Sequence, residues 1–378
     1  MHQKIGYLCI IINNQLTTGI HMNIIKALSL TTVLTFSSFC LASAQSESGQ
    51  NSKVKDFYFE TRLAYEAESL GGEFQSENSM FKGQWLNMRL DGQIVPGLTY
   101  SYRQRFNKPN AVTFFDSTDW LHLDWEFAEG WNFSFGKQVV AIGGFEYDRA
   151  PIDLYYCSDF WNHIPCYQIG GSVSYNVTDN DNLLFQVCNS PFRSVIGNNH
   201  YGFNLFWSGH HGIWQTLWSA NMAPYGNGDY MNYLALGNRF VFTDWLRWDI
   251  DLMNRYSNAS PESSEFVLDD WSVMTEVCVA PSETVSTFVK YTFDTNDRMY
   301  GDYLVAAGTH RSMVSAGVEI TPLKAERNAL KIFCVGGYRF GEHADDNGSI
   351  RDDSQFLIEA GVKFRMDVLR GLKSFGKQ

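Results

Sequence analysis

Residues 285–294 read VSTFVKYTFD and residues 120–128 read WLHLDWEFA. In both, apolar and polar side chains alternate with a period of two, which sets one face of an extended strand in an apolar medium and the other in a polar one. The same rhythm runs through 57–68 (FYFETRLAYEAE) and 356–366 (FLIEAGVKFRM). Working outward from these, strands are predicted at 57–68, 81–92, 97–106, 118–128, 131–142, 166–177, 181–190 and 200–210. Eight more follow at 213–222, 230–242, 245–256, 270–281, 284–294, 311–321, 329–340 and 354–366. The tenth and fifteenth of these alternate ambiguously.

The gaps between them alternate in length. Short turns fall at 93–96, 129–130, 178–180, 211–212, 243–244, 282–283 and 322–328, and long connections fall between them. The turns carry turn formers such as Pro96-Gly97 and Asp179-Asn180-Asp181. Such alternation gathers all tight turns at one end and all loops at the other. It predicts an all-β fold, a 16-stranded antiparallel transmembrane β-barrel with periplasmic turns and extracellular loops. A strand of about 11 residues at roughly 3.3 Å each, tilted near 45°, spans about 25 Å, the height of the apolar band of such a barrel. Sixteen strands leave an aqueous channel.

Composition agrees. Of 378 residues, 19% are charged, below the roughly 25% of a soluble domain. Aromatics reach 15%, as interfacial girdles require. No apolar run beyond residue 44 approaches the roughly 20 residues of a spanning helix.

The N-terminus reads as an export signal: a basic Met22–Lys26, an apolar 27–39, and Ala42-Ser43-Ala44 as cleavage site. The expected organisation is a leader over 1–44, with Met22 as true start, and a short periplasmic segment over 45–56. The barrel then covers 57–366 and a C-terminal periplasmic extension covers 367–378. Removing Lys4 and Lys26 leaves 27 basic against 41 acidic residues, a net charge of −14. That excludes nucleic acid as a main partner. Cys157, Cys166, Cys188, Cys278 and Cys334 remain, in no metal-binding spacing, and Cys157–Cys166 is the one pair suggested for a disulfide.

Where alternation is clean, Leu121, Leu123, Trp125 and Phe127 face lipid, as do Val285, Thr287, Val289, Tyr291 and Phe293. His122, Asp124, Glu126, Lys290 and Asp294 then face the lumen. A lipid-facing Lys or Arg at mid-membrane costs roughly 2–4 kcal/mol, which fixes the phase. The first three strands turn Arg62, Arg89, Arg103 and Arg105 inward, and the last adds Lys363 and Arg365. In a closed barrel the last strand pairs with the first, so these six share one basic-rich wall with Glu60, Glu66, Asp91 and Glu359 interspersed.

The longest loop, 143–165, reads GGFEYDRAPIDLYYCSDFWNHIP. It is too aromatic to stand in water and is expected to fold into the lumen as a constriction, with Glu146, Asp148, Arg149, Asp153 and Asp159 as its charged residues. These acids are expected to face Arg62, Arg89 and Arg103 across the narrowest point, giving a weak cation preference and no saturable phosphate site. A surface loop or subunit contact is the plainer reading of the same segment. No enzymatic constellation has specificity: His122 near Asp124 lacks a serine in recognisable context, and His210-His211 sits in a tight turn. No metal or cofactor is expected.

The chain resembles the phosphate-selective porin O and P family, in a version typical of Bacteroidetes-like outer membranes. The resemblance is sharpest at Phe135-Gly136-Lys137-Gln138 leading to Gly144-Phe145-Glu146, similar to the family's Gly-Lys strand running into a Gly-x-Glu loop start. The spacing is about two residues longer and the family's Pro-Phe is absent. The resemblance implies a usually trimeric outer-membrane channel whose third extracellular loop is the constriction. The expected function is passive diffusion of small hydrophilic or ionic solutes across the bacterial outer membrane. Expected partners are membrane lipid and lipopolysaccharide, further copies in a homotrimer, and the solutes themselves. A non-conducting barrel for adhesion or partner binding is the alternative. A phosphate-selective channel and a membrane-embedded hydrolase rank below it.

Overall fold

The computed structural model describes residues 53–109, 111–158, 160–161, 166–192, 199–224, 230–257, 270–296, 309–327, 329–344, 350–351 and 354–369. The expected leader lies outside them. Sixteen long strands form one sheet: β1 Lys53–Leu70, β2 Met80–Val95, β3 Leu98–Arg105, β4 Thr118–Ala128, β5 Trp131–Val139, β6 Tyr167–Asn176, β7 Asp181–Asn189 and β8 Tyr201–His211. They continue as β9 Trp214–Pro224, β10 Tyr230–Thr243, β11 Leu246–Ser257, β12 Asp270–Ser282, β13 Val285–Asn296, β14 Thr309–Ile320, β15 Leu330–Gly341 and β16 Gln355–Asp367. Each pairs antiparallel with its neighbour in sequence, and β1 pairs with β16 from Tyr58↔Asp367 to Leu70↔Gln355, which closes the barrel. All sixteen coincide with the sequence reading to within a few residues. The largest shift is at the start, where β1 begins at Lys53 rather than residue 57.

The distribution of side chains is that of a soluble protein turned inside out. Leu121, Phe135 and Val289 are 45%, 57% and 57% exposed on the outer wall, while Arg103, Asp249 and Lys290 are buried inside. In lipid this arrangement suits both faces, and pairing of the first strand with the last closes the ladder where an open sheet would leave unpaired backbone groups at an edge. Next to the tight turns the outer wall carries aromatics. Trp131 and Tyr175 stack at 4.4 Å, Trp207 meets Trp218 edge-on at 5.1 Å, and Phe240 lies 5.9 Å from Trp248. Lysine placed at Val289 is therefore expected to cost about 2–4 kcal/mol and to lower the heat-modifiable folded fraction in outer-membrane extracts. The same change at Asn132, whose side chain lines the lumen near the turns, should be accepted. Equal folding of the two variants would overturn the assigned phase.

The interior is not all channel. Val140, Ile142, Tyr147 and Phe160 from the 140–161 segment pack with Cys188, Phe192, Ala223, Met231, Tyr233, Ala235 and Met253 of the β7–β11 side. A second patch joins Tyr155 to Ala64, Phe333 and Val335. One part of the lumen is thus filled like a soluble core, with packing-scale stabilisation of roughly 1.5–3 kcal/mol for each large apolar side chain removed from water.

Candidate functional site

The segment that follows β5 enters the lumen through two glycines. The Gly143 amide donates to Ser219 Oγ at 2.8 Å and the Gly144 amide to the Leu217 carbonyl at 3.0 Å. Gly144 has φ +105°, and a Cβ at Gly237 on β10 would lie 2.6 Å from its Cα. Two glycines therefore meet backbone to backbone, and side chains at either place would hold the strap off the wall.

From there the strap follows the wall. A single helical turn, Phe145–Asp148, begins against β11, where the amides of Phe145 and Glu146 donate to the Asp251 carboxylate at 2.9 and 2.7 Å. An acid on another strand thus fills the place of a helix N-cap, satisfying amides that the turn itself leaves unpaired. Glu146 reaches β13, where it pairs with Lys290, and it also accepts from the Ser158 hydroxyl and, at 3.1 Å, from the Ser158 amide. Arg149 bridges Asp249 at 3.1 Å and Glu276 at 2.8 Å. Tyr155 donates to Glu319 at 2.8 Å. Arg62 donates to the carbonyls of Ile152 and Leu154 at 3.1 and 2.6 Å, and Lys363 holds Asp153 at 2.9 Å. The strap is anchored to β9, β11, β12, β13, β14, β16 and β1 in turn, so it lines the lumen rather than hanging across its mouth.

Between the strap and the wall formed by β1–β4, β15 and β16 a half-open cavity of about 570 Å³ remains. Its described lining includes six bases, Arg89, Arg103, Arg149, Lys331, Lys363 and Arg365, against three acids, Glu60, Asp148 and Asp153. Tyr58 and Trp120 supply flat surfaces for the guanidinium groups. Arg365 lies 3.4 Å above the Tyr58 ring, and Arg103 and Arg89 lie 4.8 and 5.5 Å from the Trp120 ring. Burial pushes the Asp148 carboxyl above its ordinary range, and Arg239 partly opposes that.

Of the expected constriction residues, Asp148, Arg149 and Asp153 border the cavity. Glu146 does not: it is turned away, toward Lys290, and not toward Arg62, Arg89 and Arg103. Asp159 lies outside the described residues. Of the expected wall, Arg89, Arg103, Lys363 and Arg365 border the cavity, whereas Arg62 is used to hold the strap. Arg105 stacks 4.5 Å from the Trp85 ring behind the lining.

Each wall base also has a carboxylate partner, and of those that follow only Asp91 was placed on this wall by alternation. Asp119 is shared by Arg103 (3.4 Å), Arg105 (3.5 Å) and Lys108 (3.3 Å). Arg89 pairs with Asp91 at 2.6 Å, Lys331 with Glu319 at 3.4 Å, and Arg365 lies 4.0 Å from Asp56. A matching centre on the far side gathers Arg149, Arg239 and Arg247 around Asp249. The suggested Cys157–Cys166 disulfide is not formed, and both residues are half-buried. His122 Nδ1 lies 3.0 Å from Asp124, whose other oxygen accepts from Ser134, so the serine is bonded to the acid and not to the imidazole.

Residues 58–217 match the family model of the phosphate-selective porins O and P. No curated protein matches the chain. Among solved structures the barrel is similar to an anion-selective porin from Comamonas acidovorans, with TM-score 0.60 and 9% identity over 84% of this chain and 100% of that one. It is similar also to the outer membrane channel DcaP of Acinetobacter baumannii, with TM-score 0.57 and 11% identity over 85% and 99%. OmpT of Vibrio cholerae in its trimer form gives TM-score 0.54 and 12% identity over 83% and 99%. At such identities the likeness establishes the fold.

Proposed function

We propose, from the premise that the chain belongs to the phosphate-selective porin O and P family and is an outer-membrane diffusion channel, that it passes small anions in preference to cations. The observation that carries this reading is the lining of the residual cavity, six bases against three acids. It reverses the sign expected from the loop's composition and the net charge of the chain. Two of the loop's acids are neutralised at close range, Glu146 by Lys290 and Asp153 by Lys363. The field an ion meets is set by groups that line its path, because low-dielectric walls focus field lines into the opening.

Tight phosphate binding is not part of the proposal. An anion entering must compete with Asp91, Asp119, Glu319 and Asp56 for the wall bases, which suits fast passage better than retention. A homotrimer with the outer wall set in lipid and lipopolysaccharide completes the reading, supported by the trimer form of OmpT among the similar structures. The test is the reversal potential of the pure protein in a planar bilayer under a potassium chloride gradient. Chloride preference is expected, with chloride current little affected by millimolar phosphate. A cation preference would overturn the proposal, and saturable block by phosphate would restore a binding site.

A further inference from the structure

Around most of the barrel the outward apolar side chains are bare, as Leu121, Leu123, Phe135 and Val289 illustrate. One sector is different. Phe57 on β1 and Met88 and Leu90 on β2 point outward, in register with one another, yet are only 5%, 4% and 5% exposed. Phe59, Tyr100, Tyr102 and Phe106 flank them, and Val368 and Leu369, the first residues beyond β16, pack against the same cluster. At Asp367 the chain leaves the ladder opposite Tyr58, and Val368 and Leu369 adopt helical geometry. β1 runs on to Lys53 without a β16 partner. The last described residues are therefore already turned across the seam of the barrel and onto its outer wall.

The sequence that continues from there, 368–378, reads VLRGLKSFGKQ. Residues 370–378 lie outside the described residues. Their pattern places apolar residues at 368, 369, 372 and 375, the i, i+4, i+7 spacing of one helical face, with Arg370, Lys373 and Lys377 off that face. A basic amphipathic segment at a membrane surface seats its apolar side and leaves its cations among anionic headgroups, which attract them. We propose that the segment after β16 is a docked anchor. Leu372 and Phe375 extend the contact that Val368 and Leu369 make with the Phe57–Met88–Leu90 sector, and the three cations face the phosphates of the periplasmic leaflet. The covered sector is thus occupied by this chain's own C-terminal segment rather than by bare lipid or by a second copy.

The argument is independent of ion selectivity, and so is its test. Full-length protein carrying Leu372→Cys together with Leu90→Cys is oxidised in outer-membrane vesicles, and the cross-linked peptide is identified by mass. An intramolecular disulfide is expected, its yield independent of protein density. Leu372→Cys with Leu123→Cys, on the bare wall, should give none, and Leu372→Cys alone controls for the native thiols. A disulfide between two copies would mean that a second barrel covers the sector, and no disulfide would mean that the segment does not dock; either result overturns the proposal. In parallel, a stop after Asp367 should raise the labelling of Leu90→Cys by a bulky maleimide in detergent several-fold while leaving the reversal potential unchanged. Should the shortened chain fail to assemble, the full-length cysteine pair still decides.

Discussion

Lys290→Met is expected to unseat the strap. The ammonium and the Glu146 carboxylate it holds have side chains only 1% and 5% exposed. Removing one partner of such a pair leaves an uncompensated buried charge, at a cost of about 3–5 kcal/mol. Ser158 can still donate to Glu146, but two neutral donors do not replace an ammonium. The expected readouts are a lower unfolding temperature and single-channel currents that are larger and noisier, because the strap no longer lies flat against β11–β14. The double variant Lys290→Met with Glu146→Leu removes both charges beside the apolar cluster of Tyr147 and Phe160, and should recover most of the loss. That non-additivity separates a broken pair from general damage. Wild-type conductance in the single variant would show that the other anchors suffice, and a double variant as poor as the sum of its parts would show that the pair is not the cause.

How far the fold was legible follows from where two-faced environments exist. The strands with one lipid face and one watery face alternate cleanly, and β4 and β13 could be assigned residue by residue. The two ambiguous strands are β10 and β15, and the structure gives the reason. Met231, Tyr233 and Ala235 of β10 and Phe333 and Val335 of β15 point inward but meet strap side chains rather than water. Both faces of these strands are apolar, so the period-two signal fades where the strap docks. Loss of alternation inside an otherwise regular barrel was itself a map of the strap's seat.

The charge partners were less legible, and for a different reason. The phase that sends Leu121 and Leu123 to lipid would send Asp119 there too, an untenable place for a carboxylate. The structure resolves this with a register shift between Arg103 and Gln104 opposite Trp120 and Thr118, which turns Asp119 inward beside Trp120. A forbidden phase at one residue was the available signal of a bulge. The pairs Glu146–Lys290, Arg149–Asp249 and Tyr155–Glu319 carry no such signal. They join residues a hundred or more positions apart through the path of the strap, which composition does not encode. The Gly144-Phe145-Glu146 motif acquires its meaning only there: close approach to Gly237, an amide pair for Asp251, and a carboxylate for Lys290.

Reversing two wall charges should reverse the ion preference. Arg89 and Arg365 line the cavity with side chains 39% and 28% exposed, so glutamate at both positions can remain hydrated. The described lining would change from six bases and three acids to four bases and five acids. Arg103 and Lys363, which are nearly buried and pair with Asp119 and Asp153, contribute less to the field an ion meets than the two exposed groups. The variant Arg89→Glu with Arg365→Glu is therefore expected to move the reversal potential through zero toward potassium, with conductance of the same order because the strap contacts are untouched. The recording requires dilute salt, since the Debye length grows from about 10 Å at 0.1 M to about 30 Å at 0.01 M, and only the longer value lets wall charges act on ions in mid-lumen. Lys324→Glu, exposed in the turn before β15, makes half that change of net charge away from the cavity and should leave the potential where it was. If Lys324→Glu shifted the potential as strongly as the wall pair, the charge of the whole protein would govern selectivity and the lining would not.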